Sequence, residues 1–131
     1  MSPAPLVELR GVTRVYRRGE EVVQALRGVS LSVEAGDFVV VTGRSGSGKS
    51  TLLHIMAGLD RPTSGEVLLD GYPLSSMSDD DLTLRRRRSI GFIFQFFHLL
   101  PTLSATDNVG LPLLLDGWPS ARIRAEAVTA L

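Results

Sequence analysis

One stretch of the chain has residue types and spacing that suit phosphate chemistry. The pattern Gly-x-x-x-x-Gly-Lys-Ser/Thr is matched at every fixed position by Gly43-Arg44-Ser45-Gly46-Ser47-Gly48-Lys49-Ser50. Glycine has no Cβ, so the backbone can turn tightly and approach a ligand closely. Successive N–H groups then point into one concavity, and the N-terminus of a following helix adds positive partial charge. The loop therefore predicts a binding site for the phosphates of a nucleoside triphosphate.

Three side chains at the end of this loop have predicted roles of their own. Lys49 places an ammonium on the outer phosphates, where charge shifts during phosphoryl transfer. Ser50 offers a hydroxyl to a Mg²⁺ ion that bridges those phosphates, and Thr51 adds a further hydroxyl near the α-phosphate. The alternative is a glycine-rich turn that fits by accident. The flanking elements disfavour it, because a buried strand followed by a helix is the context that the motif requires.

The elements that must position the loop can be assigned from hydrophobic periodicity. Alternating and β-branched residues predict strands over Val7–Tyr16 and Ala25–Val33, joined by a polar turn. The short apolar run Phe38–Thr42 predicts a strand buried on both faces, as in parallel sheets. A helix is predicted over Lys49–Ala57, with Gly58 as its C-terminal stop.

The rest of the chain alternates turns, strands and helices. The predicted elements are a turn at 62–65, a strand over Glu66–Leu69, a helix capped by Ser78 or Asp79, a strand over Ile90–Phe94, a capped helix start at Ser104 and Asp107, and a helix over Ser120–Leu131. In the last helix Ile123, Ala127 and Leu131 form a small apolar stripe with no identified partner. We take this as an indication that the chain is part of something longer.

Composition excludes several classes of function. The chain has 131 residues, enough for one domain, with 14 basic and 14 acidic residues and therefore no net charge that would hold nucleic acid. It has no cysteine, which excludes disulfides, thiolate catalysis and cysteine-ligated zinc. No signal peptide and no run of roughly 20 apolar residues is visible.

The run Arg85–Arg88 could suggest a nucleic-acid or lipid site, but Asp79–Asp81 precedes it on the same predicted helix. Acid first and base last complements the helix dipole, so a solvated helix is favoured.

Three blocks of sequence resemble the nucleotide-binding domain of ABC transporters, in particular the subgroup for lipoprotein release and macrolide or peptide export. They are Val-Gln-Ala-Leu-Arg-Gly-Val-Ser-Leu at 23–31, the loop and the residues after it at 45–65, and Ile-Gly-Phe-Ile-Phe-Gln-Phe-Phe-His-Leu-Leu-Pro at 90–101. The resemblance implies an α/β P-loop NTPase fold, with an N-terminal antiparallel β-subdomain and an incomplete parallel αβ core. Residues 1–131 correspond to the N-terminal part of that domain.

The resemblance also implies a set of site residues. Tyr16 matches the aromatic that stacks on adenine, although a strand tyrosine could equally pack a core. Gln95 matches the glutamine that closes on Mg²⁺ and the attacking water, although it could simply cap a strand. The predicted ligands are ATP and Mg²⁺. The predicted catalytic residues are Lys49 and Gln95, the metal contacts are Ser50 and Gln95, and the nucleotide contacts are Tyr16, Gly43, Arg44, Ser45, Gly46, Ser47, Gly48, Lys49, Ser50 and Thr51.

The second half of the family's domain has no counterpart in this sequence. Missing are the Walker B strand ending in Asp-Glu, the Leu-Ser-Gly-Gly-Gln signature and the switch histidine. Asp70 and Asp116 each follow three apolar residues, but glycine follows both, so neither is assigned as Walker B. The predicted location is peripheral, on the cytoplasmic face of the inner membrane. The predicted partners are a second nucleotide-binding domain and a transmembrane permease subunit facing Phe96–Leu103, and no nucleic acid.

Three functions remain in competition. The first is the ATPase subunit of a transporter, of which this chain is a part. The second is a nucleotide-binding module that hydrolyses nothing, because Mg²⁺ lacks a ligand and water lacks its base. The third, a GTPase, is disfavoured because the chain has no Asn-Lys-x-Asp motif. With its apolar strand edges open, the isolated chain is expected to be poorly soluble.

Overall fold

The computed structural model describes residues 4–131, which form two compact units that divide after Gly91. The first unit holds a four-stranded sheet in the order β2-β1-β3-β4, and every pairing in it is antiparallel. The strands are β1 (Val7–Arg18), β2 (Glu21–Val33), β3 (Ser64–Leu69) and β4 (Tyr72–Pro73). The helices are α1 (Lys49–Met56) and α2 (Asp79–Ser89), with a short 3-10 helix at Leu74–Ser76. The second unit holds α3 (Ala105–Leu115) and α4 (Ser120–Ala130).

The core of the first unit lies between the sheet and the two helices. Alternation along β1 sends Leu9 and Val12 inward, where they are almost fully buried. From α1, Leu52 and Ile55 meet them. The cluster is completed by Leu26, Val67, Leu69, Leu74 and Leu82. This packing fixes α1, and the loop that precedes it, against β1 and β2.

Helix α2 is the solvated, dipole-complementing helix that the charge pattern predicts. Ser78 caps it by accepting a hydrogen bond from the Asp81 backbone N–H. Three aspartates lie in its first turn and three arginines in its last. Arg85 pairs with Asp70 at 3.0 Å, and Arg86 donates to the Gly58 carbonyl oxygen at 3.0 Å. Two of the four arginines therefore bind other parts of the first unit.

Two predicted strands are wrong. Phe38–Thr42 and Ile90–Phe94 form no strand, and Phe38 and Ile93 are 92% and 98% exposed. An apolar run becomes a buried strand only where neighbouring strands pair with both of its edges. Residues 4–131 provide no such neighbour for either segment, so neither becomes a strand, although Val41 and Ile90 are partly buried against the core. The predicted turn at 62–65 is also too long, because β3 already begins at Ser64.

The second unit is a pair of helices packed on one another. Ser104 caps α3 by accepting from the Asp107 backbone N–H, as its spacing predicts. The expectation that the stripe on the last helix has no partner is wrong for two of its three residues. Ile123 contacts the Gly110 position of α3, and Ala127 is 1% exposed, whereas Leu131 is 69% exposed. In the part of the chain that the structure describes, no helix combines the length and apolarity needed to cross a bilayer.

Candidate functional site

The glycine-rich loop leads directly into α1, and the helix start is arranged to receive an anion. Gly48 is the N-cap residue, with a left-handed φ of 93° and no side-chain cap bond. No acidic residue lies in the first turn of α1. The first N–H groups of a helix have no partner within the helix and carry positive partial charge. A negatively charged oxygen placed before Gly48 would satisfy them.

Lys49 curls back over the loop that precedes it. Its ammonium donates to the carbonyl oxygens of Gly43 and Arg44 at 2.8 and 2.7 Å, and to Ser47 Oγ at 3.3 Å. An ammonium has three N–H donors, so the loop occupies all of them. The Lys49 side chain therefore links the end of the loop to its start, and its positive charge lies beside the loop.

The remaining loop residues are mostly exposed and rich in donors. Arg44, Ser45, Gly46, Ser47 and Ser50 are exposed. Thr51 is half-buried. Gly43 faces Ser47 so closely that a Cβ would lie 2.6 Å from the Ser47 hydroxyl oxygen. The predicted phosphate contacts from Gly43 to Thr51 are thus brought together on one accessible loop.

Tyr16 lies beside Arg14 on β1 and is tied to the segment that follows α1. Its hydroxyl donates to Asp60 Oδ2 at 2.8 Å, and the Arg14 guanidinium carbon stands 4.4 Å from the centre of its ring. Tyr16 as a whole is 38% exposed. Arg14 Nη2 pairs with Asp60 Oδ1 at 2.9 Å. Tyr16 therefore packs on a charged neighbour and is not part of the apolar core.

The electrostatics of this cluster favour charged Arg14. The pKa of Arg14 is raised, first by hydrogen bonding to Tyr16 and further by the negative charge of Asp60, although desolvation acts against both. Sequence reasoning missed Asp60 and Arg14. The signal for Asp60 lay in the Gly58-Leu59-Asp60 segment that follows α1, but no spacing rule connects a residue there to a strand tyrosine.

Gln95 belongs to the second unit, where its side chain is exposed. The rings next to Gln95 in sequence pack on one another. The centre of the Phe94 ring lies 4.4 Å from that of Phe92 and 4.6 Å from that of His98. The aromatic segment after Gln95 lies on the surface, since Phe96 and Phe97 are 71% and 91% exposed. The role predicted for Gln95 stays a prediction.

Residues 4–131 contain no group of three or more His, Cys, Asp or Glu side chains that could hold a metal ion. Mg²⁺ does not need such a cluster of protein ligands, because it keeps several waters and binds to substrate phosphates together with few protein groups. The exposed hydroxyl of Ser50, on the first turn of α1, is an oxygen donor of the kind that Mg²⁺ accepts. The donor set fits a Mg²⁺ ion carried by a triphosphate, and does not fit a metal held by protein alone.

Comparison with known proteins shows which family the chain resembles. The family described as ABC transporter matches residues 26–131. Over 131 residues the chain is 43% identical to the macrolide export ATP-binding/permease protein MacB of Brucella abortus (strain 2308), and it covers 20% of that protein. Over 122 residues it is 49% identical to an uncharacterized ABC transporter ATP-binding protein of Thermotoga maritima, with 93% of this chain and 52% of that protein covered.

The fold is similar to that of solved ATP-binding cassettes. The dimeric ATP-binding cassette MJ0796, bound to ADP and phosphate in a post-hydrolysis state, superposes with a TM-score of 0.86 and 44% identity. The match covers 94% of this chain and 54% of that one, so the chain spans about half of the cassette. The P-loop NTPase fold class predicted from sequence is confirmed. The chain belongs to the ABC transporter family of ATP-binding domains.

Proposed function

We propose that the chain binds Mg-ATP through Gly43–Thr51 and Tyr16, and that a complete cassette containing it hydrolyses ATP to drive a transporter. The observation that carries the proposal is the loop itself. An uncapped helix N-terminus, a ring of exposed donors and the Lys49 ammonium converge on one surface. Such convergence of N–H groups and one cation supports a ligand rich in anionic oxygens, such as a triphosphate.

Each protein group has a separable task in this proposal. The N–H groups of the loop and of the first turn of α1 bind the phosphates, and Lys49 exchanges its loop carbonyls for outer phosphate oxygens. Mg²⁺, when bound, would neutralise charge on those phosphates, with Ser50 and Gln95 as its protein contacts. Gln95 would also orient the attacking water, as the family resemblance implies. Tyr16 would stack on the base, which fixes the other end of the nucleotide.

The proposed partners follow from the relatives. The MacB relative is named an ATP-binding/permease protein, and the solved MJ0796 cassette is dimeric. We therefore propose a second cassette and a transmembrane permease as partners, at the cytoplasmic face of the membrane. The exposed aromatic pair Phe96 and Phe97 is the proposed permease contact, because such side chains gain most from being covered.

Calorimetric titration of the full chain tests the binding proposal. Mg-ATP is expected to bind with measurable heat, and Lys49→Ala is expected to weaken it by roughly a hundredfold, as loss of a charged hydrogen bond to phosphate implies. Arg124→Ala, which removes an exposed cation of α4 outside the loop, is the matched control and should cost far less. Equal affinity of wild type and Lys49→Ala would reject the site.

A second function, binding without hydrolysis, is favoured for the isolated chain by one observation. The loop itself, residues 43–51, contains no acidic residue, and the first turn of α1 carries none. Without a general base near the γ-phosphate, water is not activated. Phosphate release by the isolated chain should therefore equal that of Lys49→Ala. Turnover clearly above that control would exclude the binding-only function.

A further inference from the structure

We propose that Asp60 is a positioning residue that holds the Tyr16 ring in the orientation in which it stacks on the adenine of ATP. Asp60 would thereby set how much the base contributes to nucleotide affinity. The inference rests on the proposed function, in which Tyr16 is the base-stacking residue. It assigns a nucleotide-site role to a residue outside the glycine-rich loop.

The geometry shows that Asp60 is fully engaged. Its Oδ2 accepts the Tyr16 hydroxyl at 2.8 Å. Its Oδ1 pairs with Arg14 Nη2 at 2.9 Å and accepts the Arg61 backbone N–H at 2.8 Å. The Asp60 and Arg14 side chains are only 26% and 24% exposed. Hydrogen bonds to a partly buried, charged acceptor are stronger than those between neutral, exposed groups, so the carboxylate fixes both neighbours.

The same carboxylate also holds Arg14 against the Tyr16 ring. The Arg14 guanidinium carbon is 4.4 Å from the centre of the Tyr16 ring, within the range of a cation–π contact. Because Asp60 binds both side chains, it locks the guanidinium over one face of the ring. A stacking base would use the other. A ring fixed before binding loses less rotamer entropy when the base arrives.

Tyr16 lies close to the part of the sheet that the end of the phosphate loop contacts. Gly48 touches the backbone of Ala25 on β2, and the neighbouring register pairs are Leu26 with Arg14 and Val23 with Tyr16. Asp60 follows the opposite end of α1. Helix α1 therefore connects the two halves of the proposed site: its start follows the phosphate loop, and the segment after its last residue, Met56, carries Asp60 to the tyrosine.

Two titrations of the full chain separate the base from the phosphates: Mg-ATP, and magnesium tripolyphosphate, which has no base. The readout is the ratio of the two affinities. Asp60→Ala and Tyr16→Phe are each expected to weaken ATP about threefold to tenfold, within the range for residues acting through a neighbour, and to leave tripolyphosphate unchanged. Asp60→Asn keeps an oxygen that can accept the tyrosine hydroxyl, so it should recover most of the loss.

Two further variants complete the design. Asp79→Ala is the matched control, because Asp79 pairs with Arg61 on the adjacent surface and its side chain is 91% exposed. It should not change the affinity ratio. In the double variant Tyr16→Phe with Asp60→Ala, the loss should equal that of Asp60→Ala alone, because the Tyr16 hydroxyl has then already lost its acceptor.

The outcomes distinguish the inference from the proposed function. If Lys49→Ala leaves both ligands bound, or Tyr16→Ala leaves the affinity ratio unchanged, the proposed site is wrong. If Tyr16→Ala lowers ATP affinity selectively but Asp60→Ala does not, the proposed site stands and the role of Asp60 is rejected. If Asp60→Ala weakens ATP and tripolyphosphate equally, Asp60 only supports the fold, which also overturns the inference.

Discussion

Gly48 meets the backbone of Ala25 so closely that a Cβ on Gly48 would lie 2.4 Å from the Ala25 carbonyl oxygen and 3.2 Å from Leu26 Cδ2. The contact joins the first residue before α1 to the middle of β2. Ala25 is the extra residue of a β-bulge between the Leu26–Arg14 and Gln24–Val15 pairs, so its backbone is held by the paired residues on either side. The second fixed glycine of the loop is therefore required by packing against the sheet as well as by the approach of phosphates.

Replacement of Gly48 by alanine should destabilise the protein strongly. Its left-handed φ of 93° already disfavours a side chain, and the clash with Ala25 adds displacement of β2. We expect a loss of about 3 kcal/mol or more in the free energy of unfolding, measured by urea denaturation.

Gly46→Ala is the matched control for this prediction. Gly46 has a similar φ of 78° but nothing within 4 Å of a Cβ. Gly46→Ala should lower the free energy of unfolding only by the backbone strain, about 1 kcal/mol. Equal losses for the two variants would show that the contact with Ala25 carries no energy.

The sequence predicted well those elements that are specified by residues close together in the chain. Ser78 and Ser104 cap their helices as the spacing of their partners requires. The loop and α1 also lie as expected, because motif, glycine freedom and helix periodicity agree there. Local rules suffice when the partner of a group lies within about four residues.

The failures all involve partners that lie far away in sequence. Phe38–Thr42 has the composition of a buried strand, and only the presence of pairing strands decides whether it becomes one. Asp60 reaches Tyr16 across 44 positions, which no periodicity reveals. The stripe of Ile123 and Ala127 has a partner because α3 offers Gly110, a residue whose packing role is invisible without the helix crossing.

Stability of the isolated chain should depend little on Phe38. Its side chain is 92% exposed, so Phe38→Ala removes almost no buried surface and is expected to change the free energy of unfolding by less than about 0.5 kcal/mol. Ile55→Ala is the comparison, since Ile55 is 0% exposed and should cost about 2–5 kcal/mol. Thermal or urea unfolding of both variants measures the difference. A large loss for Phe38→Ala would mean that the apolar run is buried in solution.

Solubility of the isolated chain should respond to Phe38 in the opposite way. An exposed apolar segment with free backbone groups is an aggregation site. Phe38→Ser is therefore expected to raise the soluble concentration of the 131-residue chain, measured by light scattering of a concentration series. Ser75→Thr, a change at an exposed position that is already polar, is the reference and should not raise the soluble concentration. No change on Phe38→Ser would remove this run as the cause of poor solubility.

The contact of α3 with α4 depends on the absence of a side chain at Gly110. A Cβ there would lie 2.6 Å from Ile123 Cγ2, and the β-branched isoleucine cannot rotate that methyl away freely. Gly110→Ala should therefore cost about 1–2 kcal/mol net, because overpacking outweighs the roughly 1 kcal/mol that alanine gains in a helix. Hydrogen exchange of the α3 and α4 amides measures the loss locally.

Truncation of the Ile123 side chain should reverse the sign of the effect of Gly110→Ala on stability. In an Ile123→Ala background the methyl is gone, so Gly110→Ala should stabilise α3 through its helix propensity. The double-mutant cycle then gives a coupling energy of about 1 kcal/mol or more. Additive effects would show that the two helices are not packed at Gly110.

The pairing of Glu8 with Arg10 predicts a weak pH dependence of stability. Arg10 Nε donates to Glu8 Oε1 at 2.9 Å, and Nη2 donates to Oε2 at 2.9 Å. This hydrogen bonding lowers the pKa of Glu8 below its ordinary value of 4.5, with burial acting against it and the charge of Arg10 acting with it. A carboxylate whose pKa falls on folding stabilises the folded state at pH values above its unfolded pKa. This stabilisation is lost as the pH drops through the pKa of the folded state.

Glu8→Gln should therefore be slightly less stable than wild type at pH 6, and the free energies of unfolding of the two proteins should converge in acid. Salt should shrink the difference, because the pair is exposed. In an Arg10→Gln background the Glu8→Gln effect should vanish, and its persistence there would assign the pH dependence to another partner.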